Sequence, residues 1–179
     1  MHHFGAAKRV LRYLAGTTSY GIWFQKTEDF SLKGFSDSDW AGSVDDRKST
    51  SGNCFILGTG AISWSSKKQA TVALSSTEAE YVAVSASTWQ AVWLRGVLQD
   101  LGEVQTKATS IKCDNQSAVM LAKNPVHHDR TKHIEIKHHF IRELIAKEEV
   151  QLDNCQTNEQ VADLFTKSLP QMKHEAFSF

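Results

Sequence analysis

The sequence predicts an α/β fold: one mixed sheet with helices packed on it. Two patterns carry this expectation. Strand-like segments crowd the early part of the chain and include a hairpin signature. Later, strand and helix patterns alternate, which is the order of a sheet covered by helices. Composition agrees. Of 179 residues, 41% are hydrophobic and 22% charged, which is globular usage and excludes disorder as the main state. The length suits one domain, or a domain plus a short appendage, and can bury a core without staples.

In chain order, Ala6 to Gly16 reads as a short helix, with Val10, Leu11 and Leu14 on one side and Gly16 as its stop. Tyr20, Ile22 and Phe24 alternate with Gly21 and Trp23, which predicts a strand, and Leu32 to Asp39 predicts another. Asn53–Leu57 and Ala61–Trp64 flank Gly58-Thr59-Gly60 as a hairpin, and Gln69 to Leu74 continues it or forms a further strand. Thr77 to Leu101 is the strongest helix, ended by Gly102. A strand follows at Ser110–Asp114, then a helix from Gln116 to Lys123 stopped by Asn124-Pro125. A second long helix spans about Ile134 to Lys147, a strand spans Val150–Asn154, and a last helix starts near Asn158.

Charge and cysteine usage narrow the function. Lys+Arg 20 balances Asp+Glu 20, so a nucleic-acid site has to come from local charge. Cys54, Cys113 and Cys155 are scattered, with no disulfide framework and no CxxC pair, which points to a reducing compartment. No signal-peptide pattern opens the sequence, and the apolar stretch Tyr81–Leu94 is too short to span a bilayer. The expectation is a protein that is not secreted and has no membrane partner, placed in a cytoplasmic particle or the nucleus.

Five acids stand in unusual places. On a helical wheel of about 100° per residue, Glu80 shares a stripe with Ala83, Ser87, Ala91, Leu94 and Leu98. Val82, Ala86, Trp89, Trp93 and Val97 form the neighbouring apolar arc, while Glu78, Ser85, Thr88 and Gln99 fall on the wet side. A carboxylate at the edge of a core face needs a partner. Thr77-x-x-Glu80 would make it part of a capping box, but Ser75-x-x-Glu78 is an equally good box that leaves Glu80 free. Asp114 ends a strand and precedes a helix, which suits either a ligand site or a helix N-cap. Asp37 and Asp39 share one strand face with Phe35, a pairing expected of exposed or metal-bound acids. Asp163 falls off the Val161-Leu164-Phe165 face and by itself reads as a solvated acid.

Taken in order, the segments around these acids form a set. Phe35-Ser36-Asp37-Ser38-Asp39-Trp40-Ala41-Gly42 resembles the first motif of retroelement ribonuclease H domains. Leu74-Ser75-Ser76-Thr77-Glu78-Ala79-Glu80-Tyr81 resembles the second, Cys113-Asp114-Asn115-Gln116-Ser117-Ala118 the third, and Glu159 to Lys167 the last. The wording is that of copia-type LTR retrotransposons, as is the segment Arg130 to Arg142. Ala6 to Thr17 resembles the stretch that joins reverse transcriptase to ribonuclease H in their Pol polyproteins.

The resemblance implies an RNase H-like fold, a five-stranded mixed sheet of three antiparallel then two parallel strands with helices on both faces. It implies residues 1–28 as the tail of the reverse transcriptase connection, a helix plus a strand, and 29–179 as the ribonuclease H domain. It implies Asp37, Glu80, Asp114 and Asp163 as catalytic carboxylates holding two Mg²⁺ ions, with Mn²⁺ able to substitute. The substrate would be an RNA–DNA hybrid whose RNA strand is cut to 5′-phosphate and 3′-hydroxyl ends. The reverse transcriptase portion of the same polyprotein is the expected protein partner. The residue types suit the task, because two metals in an in-line displacement need hard oxygen ligands, and clustered acids need cations between them.

Substrate contacts are expected at Lys67 and Lys68 after the hairpin, at Asn115 and Gln116 beside Asp114, and at Arg130, Lys132, His133, Lys137 and Arg142. The bland reading of that last stretch is a solvated helix face. A zinc site is disfavoured, since His133 and His138 are five apart and no cysteine is near. One departure stands out. Many ribonucleases H carry a His in the loop before the last helix, and here Asn154-Cys155-Gln156-Thr157-Asn158 has none; His133 is the candidate substitute. The alternative function is a catalytically silent, retroelement-derived domain that binds nucleic acid or a protein.

Overall fold

The structure is a computed structural model that describes residues 2–123 and 132–177, with side chains from His3 and, in the second segment, from His139 onward. Five strands form one sheet: β1 (Leu32–Asp39), β2 (Thr50–Leu57), β3 (Gly60–Lys68), β4 (Thr109–Cys113) and β5 (Val150–Asn154). Their order is β3-β2-β1-β4-β5. The β1–β2 and β2–β3 pairs are antiparallel, and the β1–β4 and β4–β5 pairs are parallel. This is the mixed sheet the sequence predicts, with the hairpin on one side and the alternating units on the other.

Helices α1 (His2–Gly16), α2 (Ser76–Asp100), α3 (Gln116–Lys123), α4 (Lys132–Ala146) and α5 (Gln171–Phe177) complete the chain, with 3₁₀ turns at Thr157–Glu159 and Val161–Phe165. The main core joins Phe55, Ile111 and Leu152 of the sheet to Tyr81 and Leu94 of α2, Val119 of α3 and Ile141 of α4. On the opposite sheet face, Phe35, Cys54 and Ala162 form a smaller core with the second 3₁₀ turn. β1 runs between the two cores and is buried on both faces, so Asp37 and Phe35 enter the smaller one.

Ser75 caps α2, its hydroxyl accepting from the Glu78 amide at 3.2 Å, while Glu78 Oε2 accepts from the Leu74 amide at 2.8 Å. The box is therefore the Ser75 one, and Glu80 is released from capping. The core-facing arc of α2 differs from the predicted one. Ser85 and Thr88 are buried, whereas Ala86, Trp89 and Trp93 are exposed. The Thr88 hydroxyl satisfies itself on the Val84 carbonyl at 2.8 Å, and Ser87 does so on Ala83 at 3.0 Å. A hydroxyl satisfied within the helix behaves as a small side chain, so this face can lie close to the sheet. The bulky indoles turn outward, and Trp89 stacks on Phe140 of α4 at 3.7 Å.

Three further expectations are corrected. Tyr20–Phe24 is not a strand. It is an extended segment laid over the hairpin, where the Gln25 amide donates to Thr59 Oγ1 at 2.9 Å and the Phe24 ring sits where a side chain at Gly60 would clash. Gln69–Leu74 is not a strand either; Gln69 turns its amide inward onto Ser51 Oγ and the Ala79 carbonyl, both at 2.9 Å. The last helix near Asn158 is replaced by the two 3₁₀ turns, and α5 begins only at Gln171. α1 forms as expected, but every described residue on it is exposed, Val10, Leu11 and Leu14 included.

Candidate metal centre

Strand topology brings the first two acids together. Asp37 lies near the end of β1 and Asp114 directly follows β4, its parallel neighbour, so both stand at the carboxyl ends of adjacent strands. Asp163 arrives on the Val161–Phe165 turn, which packs against β2 beside Asp37. Gly52, the β2 partner of Asp37, permits that approach, since a Cβ there would lie 2.6 Å from Thr166 Cγ2 and 3.0 Å from the Ala162 carbonyl. Gln160 fastens the turn, its amide donating to the Ser36 carbonyl at 2.9 Å from a fully buried position.

Ligand-capable oxygens of Asp37, Asp114 and Asp163 all lie within 4.8 Å of one another. Asp37 and Asp163 are buried, at 1% and 0% exposure, and Asp114 is half-buried. Asp163 is thus no solvated acid, which corrects the reading from the sequence. Asn115 rather than Asp114 caps α3, accepting from the Ala118 amide at 3.0 Å, so the capping role leaves Asp114 free. Glu80, on the first turns of α2, is buried close by. Burial, and then the like charges of Asp37 and Asp114, push its carboxyl up to about 9. Cys113 presents its thiol to Glu80 Oε2 at 3.8 Å.

Cations and donors already attend the other side. Lys167 Nζ lies 2.7 Å from Asp163 Oδ1 and 3.6 Å from Asp37 Oδ2. Lys173 pairs with Asp163 Oδ2, and the Thr166 hydroxyl donates to Asp37 Oδ2. Burial raises the Asp37 carboxyl, with Thr166 and Lys167 opposing it. The sequence marks Thr166 and Lys167 only as part of the last motif and does not single out Lys173. The spacing of four between Asp163 and Lys167 is the available signal.

The expected substrate contacts are more dispersed. Gln116, Lys67 and Lys68 are exposed, and Lys68 pairs with Asp46 Oδ1 at 2.9 Å. Arg142 is half-buried on α4 and shares a groove with Lys123 and His139. Lys132, His133 and Lys137 lie on the α4 backbone, with side chains outside the described residues, and Arg130 lies outside them altogether.

A five-stranded sheet in this order, with acids gathered at the ends of its central parallel strands, defines the class: the ribonuclease H fold. Comparison agrees, since LC11-RNase H1 in complex with an RNA/DNA hybrid superposes with a TM-score of 0.52 at 13% identity, over 76% of this chain and 94% of that one. By sequence the chain is similar to segments of the retrovirus-related Pol polyproteins of plant transposons. It is 45% identical over 173 residues, 97% of its length, to the Pol polyprotein of transposon TNT 1-94 from Nicotiana tabacum. It is 44% identical over 176 residues to that of transposon RE2 from Arabidopsis thaliana. The chain spans 13% and 12% of the length of those two relatives. No family model matches the chain.

Proposed function

We propose that this domain is the ribonuclease H of a retrotransposon Pol polyprotein, cutting the RNA strand of RNA–DNA hybrids with divalent metal. The observation that carries the reading is the convergence of Asp37, Asp114 and Asp163, with Glu80 beside them, from four separate parts of the chain. Hard carboxylate oxygens at this spacing, already drawing two ammonium groups, fit Mg²⁺, and Mn²⁺ takes the same ligands. Asp37, Asp114, Asp163 and Glu80 would hold the ions. Two bound ions would activate the water and neutralise the charge that develops on the phosphate.

The protein's own groups shape that site. Thr166 orients Asp37, Gln160 holds the turn that carries Asp163, and burial excludes water from the inner side. Asp114, half-buried, is the most accessible of the three clustered aspartates and is proposed to stand nearest the substrate. The hybrid-bound state of LC11-RNase H1 supports a hybrid substrate here, and Lys67, Lys68, Asn115, Gln116, Arg130, Lys132, His133, Lys137 and Arg142 are its proposed contacts, with His133 also proposed in place of the missing loop histidine. The reverse transcriptase portion of the polyprotein is the proposed partner of the exposed apolar side of α1.

The test is Asp114→Asn. Cleavage of a labelled hybrid in Mg²⁺ should fall at least about 10³-fold, as expected for removing one member of a group that acts as a unit. Circular dichroism should show an unchanged fold. Undiminished cleavage by the pure variant would overturn the assignment.

A further inference from the structure

Helix α5 has no buried residue, so apolar packing holds it weakly. Lys173 supplies a polar tie. Its ammonium donates to the Thr157 carbonyl at 2.8 Å and pairs with Asp163 Oδ2. Lys167 holds the other oxygen, Oδ1, at 2.7 Å. Both oxygens of this fully buried carboxylate therefore carry an ammonium, and a carboxylate has only two.

A divalent cation that takes Asp163 needs one of those oxygens. The two lysines are not equally easy to displace. Lys167 lies four residues beyond Asp163 and is also engaged by Asp37. Lys173 comes from a separate helix, beyond Ser168-Leu169-Pro170, and pairs with Asp163 alone among the clustered acids; its side chain, at 25%, is less exposed than that of Lys167 at 37%, so the difference between them lies in the element that carries each and not in exposure. When its ammonium leaves Asp163, α5 loses the tie that crosses to the Thr157–Asp163 region. A buried carboxylate would be costly without a cation, so the exchange is one cation for another, an ammonium of charge +1 for an ion of charge +2.

We propose that α5 is a latch: Lys173 occupies Asp163 in place of a divalent cation, so that metal binding at Asp163 and docking of α5 oppose each other. This rests on the reading of Asp37, Asp114 and Asp163 as metal ligands. Linkage then requires reciprocity. Whatever factor α5 docking takes from metal affinity, bound metal takes from α5 docking.

The experiment titrates the full chain with Mn²⁺ by calorimetry for wild type, Lys173→Met, Lys173→Arg and Asp163→Asn. It also measures hydrogen exchange across α5 in chelator and in Mn²⁺. Lys173→Met should bind Mn²⁺ at least about fivefold tighter, the lower end of ordinary coupling factors, while Lys173→Arg stays within about twofold of wild type. In wild type, α5 amides should exchange faster in Mn²⁺ than in chelator; in Lys173→Met they should exchange fast in both. Equal affinity for wild type and Lys173→Met, with α5 equally protected in both solutions, would overturn the latch and leave the metal site standing. Absence of Mn²⁺ binding, or binding undisturbed by Asp163→Asn, would overturn the metal site and the latch together.

Discussion

On one side of the acid cluster Asp37 and Asp163 meet two lysines and a threonine; on the other, Glu80 meets a thiol and the charges of Asp37 and Asp114. Both sides bury carboxylates, yet they neutralise them by different means. The Asp163 side sets lysines against its carboxylates, and Lys167 is raised in pKa although burial lowers it, because the pairs with Asp163 and Asp37 outweigh that burial. Among the described residues Glu80 has no such pair; burial, and then the charges of Asp37 and Asp114, push its carboxyl up to about 9, so it is neutralised by a proton instead. A fully buried acid in such a cluster is stable without metal only if one of these devices serves it.

The comparison breaks most visibly at Lys167. Lys167→Met leaves Asp37 without its ammonium and Asp163 with one in place of two. In chelator at pH 8 the variant should lose about 2 kcal/mol, below the full cost of an orphaned buried charge because Lys167 is 37% exposed. Urea unfolding measures this, and a loss under about 0.3 kcal/mol would show that the pairs contribute nothing. Saturating Mg²⁺ should restore most of the difference, since metal supplies the missing charge.

Glu80 sharpens the other half. Its carboxyl has an ordinary value of 4.5 and stands at about 9 in the folded chain, so the folded state binds the extra proton between those limits. Stability linked to Glu80 is therefore complete below about pH 4.5 and declines as pH rises toward 9, by at most about 1.4 kcal/mol per pH unit. Glu80→Gln should flatten that decline when unfolding is followed in chelator across the window. A variant with the parent slope would assign the decline to another group.

The smallest effect concerns how Glu80 is delivered. Ser75→Ala removes the cap that starts α2 and should cost about 1 kcal/mol. That corresponds to a drop in Tm of roughly 2–4 °C for a chain of this size. A calorimetric Tm unchanged within error would mean that Glu78 alone holds the helix start.

Legibility followed the range of the interaction that decides each feature. Helices α2 and α3, strands β1 and β5 and the hairpin were readable because periodicity, caps and turns are local. The Tyr20–Phe24 alternation misled because an extended segment draped over Gly60 shows the same period as a strand, and no sheet edge receives it. The wheel of α2 misled because it ranks side chains by polarity, whereas the sheet selected the narrow face of Ser87 and Thr88 and left Trp89 and Trp93 outside.

By itself the sequence determined the order of the five sheet strands and of helices α1 to α4, the four acidic motifs and the ribonuclease H resemblance, since these rest on residue identity and near-neighbour spacing. Only the tertiary structure decided that Asp163 is buried, that Asn115 rather than Asp114 caps α3, and that Lys167 and Lys173 close on Asp163. Those outcomes depend on Gly52 admitting a 3₁₀ turn and on strands distant in sequence lying side by side. A carboxylate's environment is set by whatever surrounds it in space, and no local pattern in the chain encodes that.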